Sequence, residues 1–315
     1  MVDFKKIDLE KVKAYSIKDR ASKVRLDLLG KPVSENCTLD QFIESLPKFL
    51  KAEDFKKVAA KIKAAIVKKS KIIFMIGAHN LKVGLTPLYV DFMGLYDNLH
   101  FAGNSAVSIH DLEIAFFGAT SEDVLENLQD GSFGFVEETA KLYSEMLRVA
   151  TKEKIGLGHA LGKFITDQDA PFKEFSLSYN CLKREIPLTI HAAIGTDIVN
   201  QHPSYDGAAA GRASFEDFQI FSNSVMQIAN GGVALNIGSA VIMPEVFLKA
   251  IAVCRNLNPA FGNYTTANFD MLTHYRPTQN VVNRPATLDS EGYNITGHHE
   301  IMIPLLFAVV KNALK

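Results

Sequence analysis

The feature that most constrains the fold is a short, wholly apolar run that stops at glycine and hydrogen-bonding residues. "KIIFMIGAHN" (71–80) is the first instance, and "NLHFAGNSAVSIHD", "IPLTIHAAIGTD", "GGVALNIGSAV" and "FGNYTTANFD" repeat the theme. An apolar run of this length suits a strand buried on both faces, as in a parallel sheet. Between the runs, apolar residues recur at helical spacing over 86–96, 113–117, 124–128, 135–151, 214–229, 244–256 and 300–314. Strands alternating with helices predict an α/β fold, a doubly wound and mainly parallel sheet with helices on both faces.

Residues 1–70 have a different character. They read as a basic, helical N-terminal segment, with Thr38 or Asp40 capping one helix and Asp54 a second. The sheet-forming, Rossmann-like domain is placed at 71–315. With 34 basic and 35 acidic residues the formal charge is -1, so no broad positive field is available for nucleic acid. Cys37, Cys181 and Cys254 are far apart and odd in number, which argues against a disulfide framework. The first residues, "MVDFKKIDLEKVKAY", contain no apolar signal core, and no charge-free run of about 18 apolar residues appears. The expectation is a cytoplasmic protein with no membrane partner.

In a doubly wound sheet, ligands bind beyond the carboxyl ends of the strands. The tails to inspect are therefore Gly77–Asn80, 103–105, 195–197, Gly238–Ser239 and 265–268, all rich in small and hydrogen-bonding residues. Turn formation alone favours such residues at any one tail. Five tails meeting on one edge would form a pocket with many donors and close backbone approach, which suits a nucleotide. Of the nine histidines, His100 is assigned a structural role near a strand start. "HHE" at 298–300 lacks the i, i+4 spacing of a helical metal pair. "HDLE" at 110–113 offers ligands, although Asp111 also reads as a helix cap. "GLGHALG" (156–162) resembles a dinucleotide fingerprint, but a helix precedes it and the fingerprint requires a strand.

Taken together, these segments resemble the deoxyhypusine synthase family. "GAHNLKVGL" is similar to the family's loop near the cofactor, and "FAGNSAVSIHDLE" to its Thr-Thr-Ala-Gly-Gly turn with two acidic residues. "IGTDIV", "LNIGSAVIMPEVF", "YTTANFD", "YRPTQN" and "GHHEIMIPLLFAVV" come in the family's order. The resemblance implies an NAD-binding fold. It also implies NAD contacts at Asn80, Ser105, Asp197, Gly238, Ser239, Thr266, Ala267 and Asp270, with His298 and His299 where the family has an Asp-Ala pair. It implies a homo-oligomer, with a tetramer as one form. The family's imine-forming lysine has no counterpart, because no lysine lies between Arg276 and Lys311. Arginine remains protonated and cannot replace it. Gln279 stands where the family has an acid, and Pro244-Glu245 where it has two histidines.

Deoxyhypusine formation is therefore not expected. The leading expectation is an NAD-dependent transferase or oxidoreductase that transfers hydride with a small amine or hydroxylated substrate, with His191, His202 or His274 as the base. The segment 200–211, "NQHPSYDGAAAG", reads as a lid or subunit-contact loop in which Asp206 and Arg212 bind substrate or each other. One alternative is a metal-dependent hydrolase using His110, His191, His202, His298 and Asp111. Another is a non-catalytic nucleotide-binding module.

Overall fold

The computed structural model describes residues 4–314; residues 1–3 and 315 of the two expected ranges lie outside it. The chain divides into two compact units, the described residues up to Phe49 and those from Leu50 onward.

In the first unit, three short 3-10 turns precede a single helix, α1 (Leu39–Ser45). Thr38 caps it in a capping box: the Thr38 hydroxyl accepts from the Gln41 amide and the Gln41 side chain accepts from the Thr38 amide. The helical character expected of the segment is limited over 4–37 to those 3-10 turns; Phe4, Ile7, Leu9 and Leu26 are exposed there and supply no buried stripe to stabilise a longer helix.

The second unit opens with α2 (Leu50–Val67), so Asp54 lies inside a helix and does not cap one. Phe55, Val58, Ala59, Ile62 and Ala65 form its buried stripe, which packs on the sheet and the last helix. The order is then β1 (Ile72–Ile76), α3 (His79–Lys82), α4 (Thr86–Leu95), β2 (Leu99–Asn104), α5 (Ser105–Phe117), α6 (Val124–Asp130), α7 (Glu137–Glu153), α8 (Leu157–Asp167), α9 (Leu177–Lys183) and β3 (Leu188–His191). It continues through α10 (Gly207–Met226), β4 (Val233–Ile237), α11 (Ile242–Leu257), β5 (Thr265–Asp270), α12 (Tyr275–Pro277) with a π-helical extension, β6 (Glu291–Thr296) and α13 (His299–Asn312).

All pairings are parallel and the strand order is β3-β2-β1-β4-β5-β6. Side-chain alternation along β1 sends Ile73 and Met75 into a core with Phe221 and Val225 of α10 and Phe247 of α11. Phe74 points the other way, stacking on Phe101 at 5.1 Å and meeting Tyr89 and Phe92 of α4 and Phe307 of α13 edge-on. The expected layered α/β fold is thus present, with every strand parallel.

Two local expectations change. Thr265–Asp270 is a fully buried strand, so the polar tail begins only after Asp270. Its polar side chains are satisfied laterally: Asn236 donates to Asn268 and Asn268 to Asn294, each at 2.7 Å, forming a ladder across β4, β5 and β6. The run 207–211 is the first turn of α10, capped by Asp206, which accepts from the Ala208 and Ala209 amides. Arg212 donates instead to the carbonyls of Ala150 and Ile155 at the end of α7, so the two residues do not pair. The glycines of "GLGHALG" serve packing in α8: a Cβ on Gly158 would lie 2.0 Å from the Leu188 carbonyl oxygen, and one on Gly162 would lie 2.6 Å from that of Ser178.

Candidate functional site

The strand order reverses between β1 and β4, which makes their carboxyl ends the topological switch point. Gly77 and Gly238 meet there. A Cβ on Gly77 would lie 2.1 Å from the Gly238 oxygen, and Gly238 itself has φ +70°, a conformation that favours glycine. Asn80 closes the junction. Its amide donates to the carbonyls of Gly77 (2.9 Å) and Ile237 (2.8 Å), and its oxygen accepts from the Tyr89 hydroxyl at 2.8 Å. Asn80 is fully buried and its hydrogen bonds are used within the protein, so its observed role is to pin β1 to β4.

The remaining tails present groups with spare capacity. The helix after β6, α13, starts without a side-chain cap, and its first-turn amides point toward this edge; in α11, after β4, Pro244 in the first turn has no amide hydrogen. Ser239 accepts from the Met243 amide. His299 lies beneath Gly238, edge-on to His79 with ring centroids 5.7 Å apart. Its Nε2 is 3.2 Å from the Phe269 carbonyl. A carbonyl only accepts, so Nε2 carries the proton and Nδ1 is a bare acceptor. Burial lowers the His299 pKa, with the Phe269 bond and Asp270 opposing. Buried Nδ1 of His299 and Oδ2 of Asp270 have no hydrogen-bond partner. His298 is exposed beside Glu300. Thr266 and Ala267 lie within β5, where the Thr266 hydroxyl donates to the Val281 carbonyl, so neither side chain stands at the edge.

Asn104 ends β2 and Ser105 opens α5. The buried Ser105 hydroxyl makes no well-formed hydrogen bond, although it lies beside the Asp197 carboxyl and the Tyr143 hydroxyl. Burial raises the Asp197 pKa, and the Ser105 and Thr196 hydroxyls oppose that rise. A cavity of about 220 Å³ adjoins this point, between α5, the 121–136 segment and the 196–198 turn. Lys82, His110, Glu113, Glu122 and Asp197 are its charged and titratable groups. His110 Nδ1 is 2.6 Å from the Thr120 hydroxyl, which in turn donates to Glu113. Thr139 donates to the other oxygen of Glu113 at 2.9 Å. Sequence spacing does not reveal this constellation, because Thr120 comes ten residues after His110 in an irregular loop.

The three histidines expected to act as bases occupy separate surroundings. His191 is buried against Phe221 with its Nε2 3.1 Å from the Thr189 hydroxyl, and burial lowers its pKa to about 3. It is therefore a neutral core residue near pH 7. His202 bonds the Gly134 carbonyl at 2.9 Å and packs on Phe135, tying two loops together. His274 precedes α12, and its carbonyl accepts from Thr278. His100 is structural as expected, bonded to Ser224 and Thr189.

The metal alternative loses its ligand set. Asp111 lies inside α5 and caps no helix of its own. Its carboxylate accepts from the Leu177 amide (2.6 Å), the Ser176 hydroxyl (2.8 Å) and the Ser178 amide (3.0 Å), and so caps α9 from a distance. Among the described residues no group of three or more His, Cys, Asp or Glu side chains is placed to hold a metal ion.

No protein-family model and no curated protein matches the chain. Solved structures do. A "putative deoxyhypusine synthase from Entamoeba histolytica" superposes with a TM-score of 0.52 at 11% identity, covering 91% of this chain and 97% of that one. The chain has a deoxyhypusine-synthase-like fold. A "conserved putative LOR/SDH protein from Methanococcus maripaludis S2" matches with a TM-score of 0.52 at 15% identity, over 84% of this chain and 71% of that one. The ternary complex of AgrE with ornithine and NAD+ matches with a TM-score of 0.51 at 13% identity, over 82% of this chain but 33% of AgrE. At these identities the likeness is one of fold. Among the described residues no helix is long and apolar enough to cross a membrane.

Proposed function

We propose that this protein binds NAD along the carboxyl edge of its sheet and transfers hydride with a small amine or hydroxylated substrate. One observation carries the reading: three buried polar atoms without partners, Ser105 Oγ, Asp270 Oδ2 and His299 Nδ1, lie at the strand ends where a doubly wound sheet binds its ligand. His299 Nδ1 and Asp270 Oδ2 are both acceptors, which suits the hydroxyls of a sugar. The uncapped start of α13 suits phosphate charge. Gly238, Ser239, Asp270, His298 and His299 would hold the dinucleotide on one side, with Ser105 and Asp197 on the other. The AgrE match, solved with NAD+, supports the cofactor class.

NAD when bound supplies the hydride acceptor. The chain's own residues bind, orient and exclude water. Asn80 fixes the junction beneath the cofactor, and Asp197, with its raised pKa, holds or releases a proton beside the substrate. No lysine stands ready for imine formation, so deoxyhypusine formation stays outside the proposal. The assembly that goes with this reading is a homo-oligomer.

Calorimetric titration of the full chain with NAD tests the binding step. Saturable binding that weakens in Asp270→Ala is expected. Absence of binding in a folded, full-length preparation would overturn the reading. NADH formation with primary amines and alcohols then tests turnover.

A further inference from the structure

The cavity beside α5 has features that the cofactor reading does not use. His110 is half-buried and lines it, together with Lys82, Asp197 and the apolar Ile109 and Phe133. The Thr120 hydroxyl has one proton and gives it to Glu113. Its oxygen must therefore accept from His110 Nδ1–H. That fixes the imidazole tautomer and leaves Nε2 as an unprotonated acceptor, for which no hydrogen bond is formed among the described residues. Glu113 is held in turn by Thr139. Carboxylate, hydroxyl and imidazole thus form a relay of the kind that orients a base. The other charged groups around His110 are Glu113 and Glu122 on its own side of the cavity, Lys82 from α3 and Asp197 from the turn after β3. Glu122 is occupied by the Asn127 side chain and the Gly134 amide, whereas the Lys82 ammonium forms no ion pair among the described residues. The volume of about 220 Å³ equals about seven waters at ~30 Å³ each. A small ligand with an apolar body and opposite charges at its ends fits this lining.

We propose that this cavity is the substrate site, that it takes a small amino acid-like zwitterion, and that His110 Nε2 is its proton acceptor. The proposal rests on the NAD reading only for the hydride step after proton removal. The ligand carboxylate meets Lys82, and its ammonium meets His110 and Asp197. In the step assigned to His110, an N–H bond of the ammonium breaks, its electron pair stays on nitrogen, and the proton forms a new bond to Nε2. Burial and Lys82 disfavour the resulting imidazolium, and Glu113, acting through Thr120, opposes them. His110 is the residue that touches substrate, whereas Thr120 and Glu113 are positioning residues.

Nitrogen-15 NMR of the histidine side chains in the full chain tests this without turnover. The His110 signals, assigned by their loss in His110→Gln, should show the Nδ1–H tautomer. Thr120→Val, which alters one partly exposed side chain, should abolish that tautomer preference while the other histidine signals stay in place. Titration with 5-aminopentanoate should shift the His110 Nε2 signal saturably. Pentylamine and pentanoate, its two halves, should each bind roughly tenfold more weakly or worse. Lys82→Gln should remove the advantage of the zwitterion over pentylamine. An Nε2–H tautomer in the wild type, no saturable shift with 5-aminopentanoate, or a zwitterion advantage over pentylamine that persists in Lys82→Gln would each overturn the proposal. NAD titration of the same samples separates the two readings: NAD binding without a His110 response sinks the substrate site alone, and a His110 response without NAD binding sinks the cofactor reading alone.

Discussion

Asp217 offers a sharp test of how the structure distributes charge. It lies on α10, and one carboxylate oxygen, Oδ2, accepts from both the Gly158 amide (3.0 Å) and the Ile190 amide (2.8 Å). It thereby caps α8 and satisfies the outer edge of β3, the terminal strand of the sheet. Its other oxygen is buried without a partner. Burial pushes its pKa from 3.8 to about 7, against the pull of those amides. The folded state therefore holds this proton more tightly than the unfolded chain does. The resulting stability is fully present below about pH 4 and is lost as pH rises through about 7. The rise from 3.8 to about 7 corresponds to roughly 4 kcal/mol between those limits, a large part of a typical domain's 5–15 kcal/mol. Buried His100 and His191, whose pKa values are lowered, act in the opposite direction below about pH 6.5, so a difference measurement is needed. Asp217→Asn is the suitable comparison: its amide oxygen can accept both backbone N–H groups, and the substituted group stays neutral at every pH. Urea unfolding of both proteins at pH 5, 7 and 8.5 (about the range over which the group titrates) should show the variant gaining on the wild type by a few kcal/mol as pH rises. A constant difference across that range would refute the assignment of a buried, high-pKa carboxyl.

Two further substitutions test the frame around the site. Gly77→Ala places a Cβ 2.1 Å from the Gly238 oxygen; backbone must move, so a loss of about 3 kcal/mol or more is expected in urea unfolding. Asp111→Asn leaves donors facing donors where a carboxylate now accepts from Ser176, Leu177 and Ser178; a loss of roughly 2–4 kcal/mol is expected, with faster amide exchange in α9 as the local readout.

The parts of this fold that the sequence discloses are those where burial and residue type agree. β1 and β4 are apolar because both faces are covered, and the glycines ending them mark the switch point. β5 misleads because its polar residues are satisfied inside the sheet, by the asparagine ladder and by the Thr266 bond to Val281. Periodicity sees a polar segment but not its partners. "DGAAAG" reads as a loop for the same reason: the cap from Asp206 starts a helix that small residues alone would not announce. The candidate site divides along this line. Gly238, Ser239, Asp270 and His299 are placed by strand ends and are legible in the chain. Thr266, Ala267 and Asn80 have the right types near the right strands, yet the structure uses them internally. His110, Thr120 and Glu113 come together through an irregular loop, which no spacing rule encodes.

The most direct test of the central claim is a crystal structure of the full chain soaked with NAD. Density for the dinucleotide across the carboxyl ends of β1 and β4, in contact with the Gly238–Ser239 turn and His299, is the expected result. NAD seated elsewhere on the molecule, or its absence from a crystal whose sheet edge is open to solvent, would contradict it.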